Sequence, residues 1–303
     1  MTRVAVFGEM LVDQFESGPV VGGAPFNVAR HLAAFGHAPL MLSAVGVDEH
    51  TALVMREFDR YGMRRDGVQI TPDHPTGVVD VQTAPDGSHR FSIRFGSAWD
   101  FIEETPARAA ATALDPAGWL YAGTLALRSP VSRAAAWAVL RSHPGPVYLD
   151  LNWREGQVPR EVVLQAIDLA DVLKVNDEEL AMLCGWLDVP AASEIPMPDS
   201  ARHLLQCLPL QMLLVTCGAE GALAFDSEGR CIARGRDTRP ISLVDTVGAG
   251  DSFSAVALAG LLRGWDMGTT LARANAFAGY ICEVRGAVPP DLTAYAQWVG
   301  AWR

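Results

Sequence analysis

The stretch Ile241–Phe253, ISLVDTVGAGDSF, constrains the fold of this chain more than any other. Ile241 to Val244 is an apolar run of the kind that fills a buried strand, and it gives way at Thr246 to a turn carrying Gly248 and Gly250. Glycine accepts φ > 0 and lets other groups approach the backbone closely. From Asp251 onward, DSFSAVALAGLLRG is apolar nearly all round, which predicts a buried helix ending at Gly264. A strand that breaks into a glycine turn at a helix start gathers free N–H groups at the positive end of a dipole, and such a place binds anions. Asp251 stands in that place, with two readings open. It caps the helix, a role suited to Asp, or it takes the proton of an attacking hydroxyl beside a phosphate hole.

At 303 residues the chain can form one large α/β domain or two ordinary ones, and with 50% hydrophobic residues it can bury a sizeable core. The 24 basic and 35 acidic residues give a net charge of −11, which argues against a nucleic-acid surface and favours a small-molecule protein. No apolar run is long enough to cross a bilayer. The opening MTRVAVFGEM reads as a strand and a turn, without a signal-peptide pattern. Five scattered cysteines have no metal spacing and sit mostly among apolar neighbours, as small core residues of a reducing compartment do. The expected location is the cytoplasm.

Along the chain, Val4–Phe7 is an apolar strand, and an alternating piece runs on to Val21. Gly22-Gly23-Ala24-Pro25 then opens a helix that closes at Gly36, with Pro25 suited to the first turn. Leu40–Val45 and the helix Glu49–Tyr61 follow, so the rhythm is that of a mostly parallel sheet wrapped by helices. Residues 76–97 break it: two alternating segments around Ala84-Pro85-Asp86-Gly87 predict a hairpin, with Asp80, Gln82, Ser92 and Arg94 on one polar set. This is either an ordinary solvent-facing edge or a flap over a polar ligand. Further strands are expected at Trp119–Leu127, Pro146–Asn152, Asp171–Asn176 and Gln211–Cys217, then a hairpin of Ala222–Phe225 and Arg230–Arg234. Helices are expected near 130–142, 160–170, Gly268–Glu283 and Asp291–Trp302, and Leu187–Pro198 reads as a surface loop. The domain expectation is one unit over 1–303 with a β lid from about 9–21 and 76–97.

In open α/β sheets, ligands bind outside the carboxyl ends of the strands. Glu9 and Asp13 follow the first strand; Asp150, Asn152 and Arg154 follow the one at 146; Asn176 and Glu179, then Thr216, Gly218 and Gly221, follow the next two. Any one of these could be a cap or a turn residue, but together they make a site. No GxxxxGK[ST] occurs, and Phe253 stands where a dinucleotide fingerprint needs its third glycine.

Gly22-Gly23-Ala24-Pro25-Phe26-Asn27-Val28-Ala29 and Asp245-Thr246-Val247-Gly248-Ala249-Gly250-Asp251-Ser252-Phe253 resemble, in this order, the two signatures of the ribokinase-like (PfkB) carbohydrate kinases. GEMLVD at 8–13, DLNWR at 150–154 and KVNDEE at 174–179 look most like the fructokinase branch. The resemblance covers nearly the whole chain. It implies a ribokinase-like α/β fold, a central mostly parallel sheet flanked by helices with a small β-sheet lid. It also implies ATP-dependent phosphorylation of a terminal hydroxyl of a small sugar, fructose first.

By the same resemblance, Asp251 is the base and the amides of Gly248, Ala249 and Gly250 hold the transferring phosphate. Asp13, Gly23, Asn27, Arg94 and Arg154 reach the sugar. Asn176 and Glu179 organise Mg²⁺ and its waters; Thr216, Gly218 and Gly221 line the nucleotide phosphates and ribose, and Asn275 sits near adenine. Asp245 with carbonyls of Val247 and near Gly286 resembles a monovalent-cation site, for K⁺. Alternatives are a 2-keto-3-deoxygluconate kinase, in which Arg94 and Arg154 pair a substrate carboxylate, another sugar or nucleoside kinase of the family, and a non-catalytic nucleotide- or sugar-binding regulator. A homodimer formed through the lid is a further expectation.

Overall fold

Apolar β-branched runs alternating with helical periods place strands in a layer covered on both sides. The computed structural model describes residues 2–83, 89–191, 193–237 and 241–302, without the side chains of Thr2 and 82–91. The turn expected at 84–87 and the Gln82 side chain therefore fall outside the described residues. The chain opens with β1 (Thr2–Phe7), the antiparallel pair β2 (Leu11–Phe15) and β3 (Gly18–Gly22), then α1 (Ala24–Ala34). After β4 (Leu40–Val45), α2 (Glu49–Arg60) and β5 (Val68–Ile70) comes the expected hairpin, β6 (Gly77–Thr83) and β7 (His89–Ile93). Next are α3 (Glu104–Ala111), β8 (Leu114–Gly123), α4 (Pro130–Ser142), β9 (Val147–Asp150) and α5 (Arg160–Ile167). The last part holds β10 (Val172–Asn176), α6 (Asp177–Trp186), α7 (Met197–Cys207), β11 (Met212–Thr216), β12 (Ala222–Asp226), β13 (Cys231–Gly235), α8 (Ala249–Arg263), α9 (Met267–Ile281) and α10 (Ala296–Ala301).

Nine strands form the large sheet, in the order β13-β12-β11-β10-β9-β8-β1-β4-β5. It is parallel from β11 to β5, and antiparallel β12 and β13 finish one edge. The period of two sorts each strand between two cores. Ala5, Phe7, Leu173 and Val175 face one side, packed with residues of α3 to α7. Val4, Val6 and Val172 face the other, against α1, α2, α8 and α9. A second sheet of four strands, β3-β2-β6-β7, stands apart, with β2 and β6 parallel.

Four expectations need correction. Ile241–Val244 is not a strand: Ile241, Leu243 and Val244 are exposed, and the segment is tied by the Val244 and Asp245 N–H groups to the Cys282 carbonyl. The strand expected at Trp119–Leu127 begins earlier, at Leu114, and ends at Gly123; Leu125–Arg128 is a single tight helical turn. The loop expected at Leu187–Pro198 is bracketed by two unexpected helices, α6 and α7, the second of which starts within it at Met197. The last segment divides into a short turn, Leu292–Tyr295, and α10.

A buried ion pair joins the small sheet to the large one. Arg128 Nε donates to Asp100 Oδ1 at 2.7 Å, with side-chain exposures of 0% and 3%. The same guanidinium reaches Gln157 Oε1 at 2.6 Å and the Arg94 carbonyl beyond β7, between the rings of Phe95 and Trp99. Removing one member of such a pair leaves the other charge buried and alone, a loss of about 3–5 kcal/mol. Asp100→Asn should therefore lower the unfolding free energy from urea titration by an amount in that range, whereas Arg230→Gln, on an exposed ion pair with Asp226, should leave it nearly unchanged.

Candidate active site

A helix whose first turn must meet an anion needs its N-terminal N–H groups bare, which excludes a side-chain cap. In α8 the N-cap is Gly248, at φ 78°, and no side chain caps it. A Cβ there would fall 2.5 Å from Ala287 Cα, so only glycine fits the bend. Asp251 thus sits in the first turn without capping it. Instead its Oδ2 accepts a 2.7 Å hydrogen bond from Asn27 Nδ2 of α1. Gly23, at φ 102°, makes the corresponding bend before α1, and a Cβ there would lie 2.6 Å from the Glu9 carbonyl.

These bends border a cleft of about 1480 Å³ between the carboxyl edge of the large sheet and the small sheet. Asp13, Gly23, Asn27, Arg154, Gly248, Gly250 and Asp251 all line it. Val79, Ser92 and Ile93 of the small sheet close its other side. Arg94 does not line it: it is exposed and binds Asp80 through both Nε (2.8 Å) and NH2 (2.6 Å). The neighbouring strand thus supplies Arg94 with a carboxylate partner at the surface.

Charge is concentrated here. Burial raises the Asp251 carboxyl to about 6; the Asn27 bond opposes that rise and Asp150 adds to it. Burial likewise lifts Asp13 to about 6, against the pull of Arg30, and lifts Glu9 to about 8. Glu9 Oε2 has no hydrogen-bond partner among the described residues. Lys174 answers these acids from below. Burial works against its charge, but Asp150 and Glu179 outweigh that and hold its ammonium above its ordinary value. Its Nζ lies 3.1 Å from Asp150 Oδ1, and a Cβ on Gly250 would come within 3.2 Å of it. Asp150 in turn accepts from Ser254 Oγ of α8 at 2.6 Å and Tyr121 OH at 3.3 Å.

The remaining candidates lie further along the same edge. Asn176 caps α6 by accepting from the Glu179 N–H at 2.7 Å. Glu179 accepts from the Asn176 N–H (2.8 Å) and the Trp153 N–H (2.9 Å), which joins this turn to the 151–154 loop. Thr216 ends β11, with Gly218 and Gly221 both at positive φ just after it. Asn275 is buried in α9 and its amide donates to the Leu271 carbonyl at 2.7 Å. Asp245 accepts backbone N–H groups from both Val247 and Gly286, each at 3.0 Å, and so draws these two loops together. Among the described residues no cluster of three His, Cys, Asp or Glu could hold a metal alone.

Sequence reasoning passed over Lys174 and gave Glu9 and Asn152 a place at the site but no role, yet all three line the cleft. A lysine inside the apolar strand VLKVN was the available signal for Lys174. Asn152 has φ 36°, a conformation rare outside glycine that nothing in the sequence announces. Glu9 supplies a test of the site's electrostatics. Its folded value of about 8 exceeds its ordinary 4.5, so the folded state binds more protons between these values and loses stability as pH rises. Asp13 and Asp251 titrate around 6 and burial holds His31 and His37 below their ordinary 6.5, so in the window from pH 6 to 8 it is the comparison of wild type with Glu9→Gln that isolates Glu9. Glu9→Gln should flatten the fall of the urea midpoint across that window; an unchanged slope would mean that the carboxyl is ionised throughout.

The pfkB family of carbohydrate kinases matches residues 2–294. A fructokinase of Klebsiella pneumoniae is 32% identical over 284 residues, covering 86% of this chain and 84% of the relative. In structure, a fructokinase of Xylella fastidiosa with bound ATP superposes with a TM-score of 0.82 at 22% identity, covering 99% of this chain and 100% of that one. A fructokinase of Vibrio cholerae, in a form with bound fructose, ADP and calcium ion, gives 0.79 at 24% identity over 99% of each chain. The fold is ribokinase-like, and the chain belongs to the pfkB family of carbohydrate kinases.

Proposed function

We propose that this carbohydrate kinase transfers the γ-phosphoryl group of ATP to a terminal hydroxyl of fructose. The observation that carries the reading is the placement of Asp251: in the first turn of α8, free of any capping duty, oriented by Asn27 and facing the cleft. Asp251 accepts the proton of the sugar hydroxyl. As the sugar oxygen bonds to the γ-phosphorus, the bond from that phosphorus to the bridging oxygen breaks and ADP departs with the electron pair. The amides of Gly248, Ala249 and Gly250 stabilise the charge on the moving group, with Lys174 beneath them.

In this reading Asp13, Gly23, Asn27 and Arg154 hold the sugar. Thr216, Gly218, Gly221 and Asn275 hold the nucleotide. Glu179 and Asn176 would hold Mg²⁺ through its waters, which fits side chains already engaged with backbone N–H groups. Magnesium there neutralises phosphate charge. A monovalent ion such as K⁺ finds carbonyls where Asp245 gathers the Val247 and Gly286 loops. The small sheet, from 9–21 and 76–97, acts as a lid on a single functional unit and excludes water. Fructose is placed ahead of a keto-acid sugar because the relative that is 32% identical over most of this chain is a fructokinase.

A cytoplasmic setting fits the five free cysteines, and a dimer through the lid is the assembly to test: a monomer mass in solution scattering would remove it. The base must be ionised to act, so kcat/KM for fructose should rise with pH through about 6 and level above it. Asp251→Asn should lower kcat by about 10²–10⁴ while the Kd for ATP stays within twofold. Near-normal turnover of that variant would overturn the assignment.

A further inference from the structure

Arg30 lies in the middle of α1, is 2% exposed, and belongs to none of the groups that hold sugar or nucleotide. Its guanidinium meets the Glu57 carboxylate of α2 at 2.7 Å, the Val21 carbonyl at the end of β3 at 3.0 Å, and Asn27 Oδ1 one turn away. The Phe26 ring covers one side at 5.1 Å.

A guanidinium has donors and no acceptor, so it dictates which end of the Asn27 amide it faces. With Oδ1 committed to Arg30, the Nδ2 end is turned to Asp251. The reversed amide would put an oxygen against the carboxylate and an NH₂ against the guanidinium, two repulsions in a dry interior. Among the described residues, the Asn27 bond is the only side-chain hydrogen bond that Asp251 accepts, and it reaches only Oδ2.

We propose that Arg30 is a positioning residue for phosphoryl transfer: held by Glu57, it locks the Asn27 amide so that Asp251 Oδ2 is always bonded and Oδ1 is left as the proton acceptor. The proposal rests on Asp251 being the general base. Asn27 Nδ2 also stabilises the ionised form of Asp251, so an unlocked amide lets the carboxyl rise and moves the acid limb of the reaction upward.

Other charges face the same carboxylate: Glu9 before β2, Asp13 on β2, Tyr121 on β8, Asp150 at the end of β9, Arg154 after it, and Lys174 on β10. Arg30 itself is faced by Glu57 with Arg60 of α2, by Asp13, and by His31, Tyr61 and Tyr295. Its charge acts directly on Asp13, so charge and geometry have to be separated.

Arg30→Lys separates them, because it keeps the positive charge beside Glu57 but has no fork to span Glu57, Val21 and Asn27 together. Turnover with fructose is measured from pH 5 to 9 for wild type, Arg30→Lys, the charge-free pair Arg30→Met with Glu57→Met, and Asp251→Asn. The lock predicts that both Arg30 variants shift the acid limb of kcat/KM for fructose upward by about half a unit or more and lose about twofold or more at pH 6, with the KM for ATP within twofold. In an Asn27→Leu background, Arg30→Lys should then add no further shift. An unmoved acid limb in Arg30→Lys, or the same added shift without Asn27, overturns the proposal. Should the charge-free pair not fold, Arg30→Lys alone still decides. An active Asp251→Asn enzyme would instead remove the base assignment itself, whatever the Arg30 variants do.

Discussion

Lys174 and Asp150 meet in the interior, and the rest of the site is built over their contact. An ammonium and a carboxylate out of water hold together only when their remaining valences are satisfied. Here Ser254 and Tyr121 fill those of the carboxylate, and Tyr148 reaches Ser254 in turn at 3.3 Å. Strands β8, β9 and β10 and helix α8 are thereby fixed at one point. Asp251 lies one helical turn before Ser254, so its position relative to the sheet follows from that fixed point. Gly250 can lie over the lysine because it has no side chain to fend it off.

The same arrangement sets the electrical character of the cleft. Three acids, Glu9, Asp13 and Asp251, are each raised by burial, and Asp251 is coupled to both of the others. A site with so much latent negative charge would repel a nucleotide if all three were ionised. Glu9, at about 8, keeps its proton at neutral pH, while Lys174 and Arg154 bring positive charge to the side where Asp251 lies. The balance leaves one acid poised near the working range and the helix N-terminus free to meet an anion.

Much of this was legible in the sequence because it is local. Leu40–Val45 and the helix at 130–142 follow from patterns within a few residues, as do the bends at Gly23 and Gly248. The errors also have local causes. ISLV has the composition of a buried strand, but pairing decides strands, and the Val244 and Asp245 N–H groups go to the Cys282 carbonyl after α9 instead. Asn176 and Glu179 stand in an Asn-x-x-Glu spacing that is also a capping box, and the structure makes both bonds of that box at the start of α6. Arg94 looked available because its partner Asp80 lies across a hairpin. The Glu57–Arg30–Asn27–Asp251 chain was invisible for the same reason, since its members come from three separate helices.

The bond from Arg30 to the Val21 carbonyl bears on how the small sheet can move. Val21 is next to the last residue of β3, the strand that runs straight into α1. That end of the ribbon is nailed to the frame of the catalytic helix pair, and Arg128 grips the Arg94 carbonyl where the chain leaves β7. A ribbon clamped at both roots cannot swing like a door. Any closure over a sugar has to come from twisting and bowing between the two roots, and not from a hinge at either.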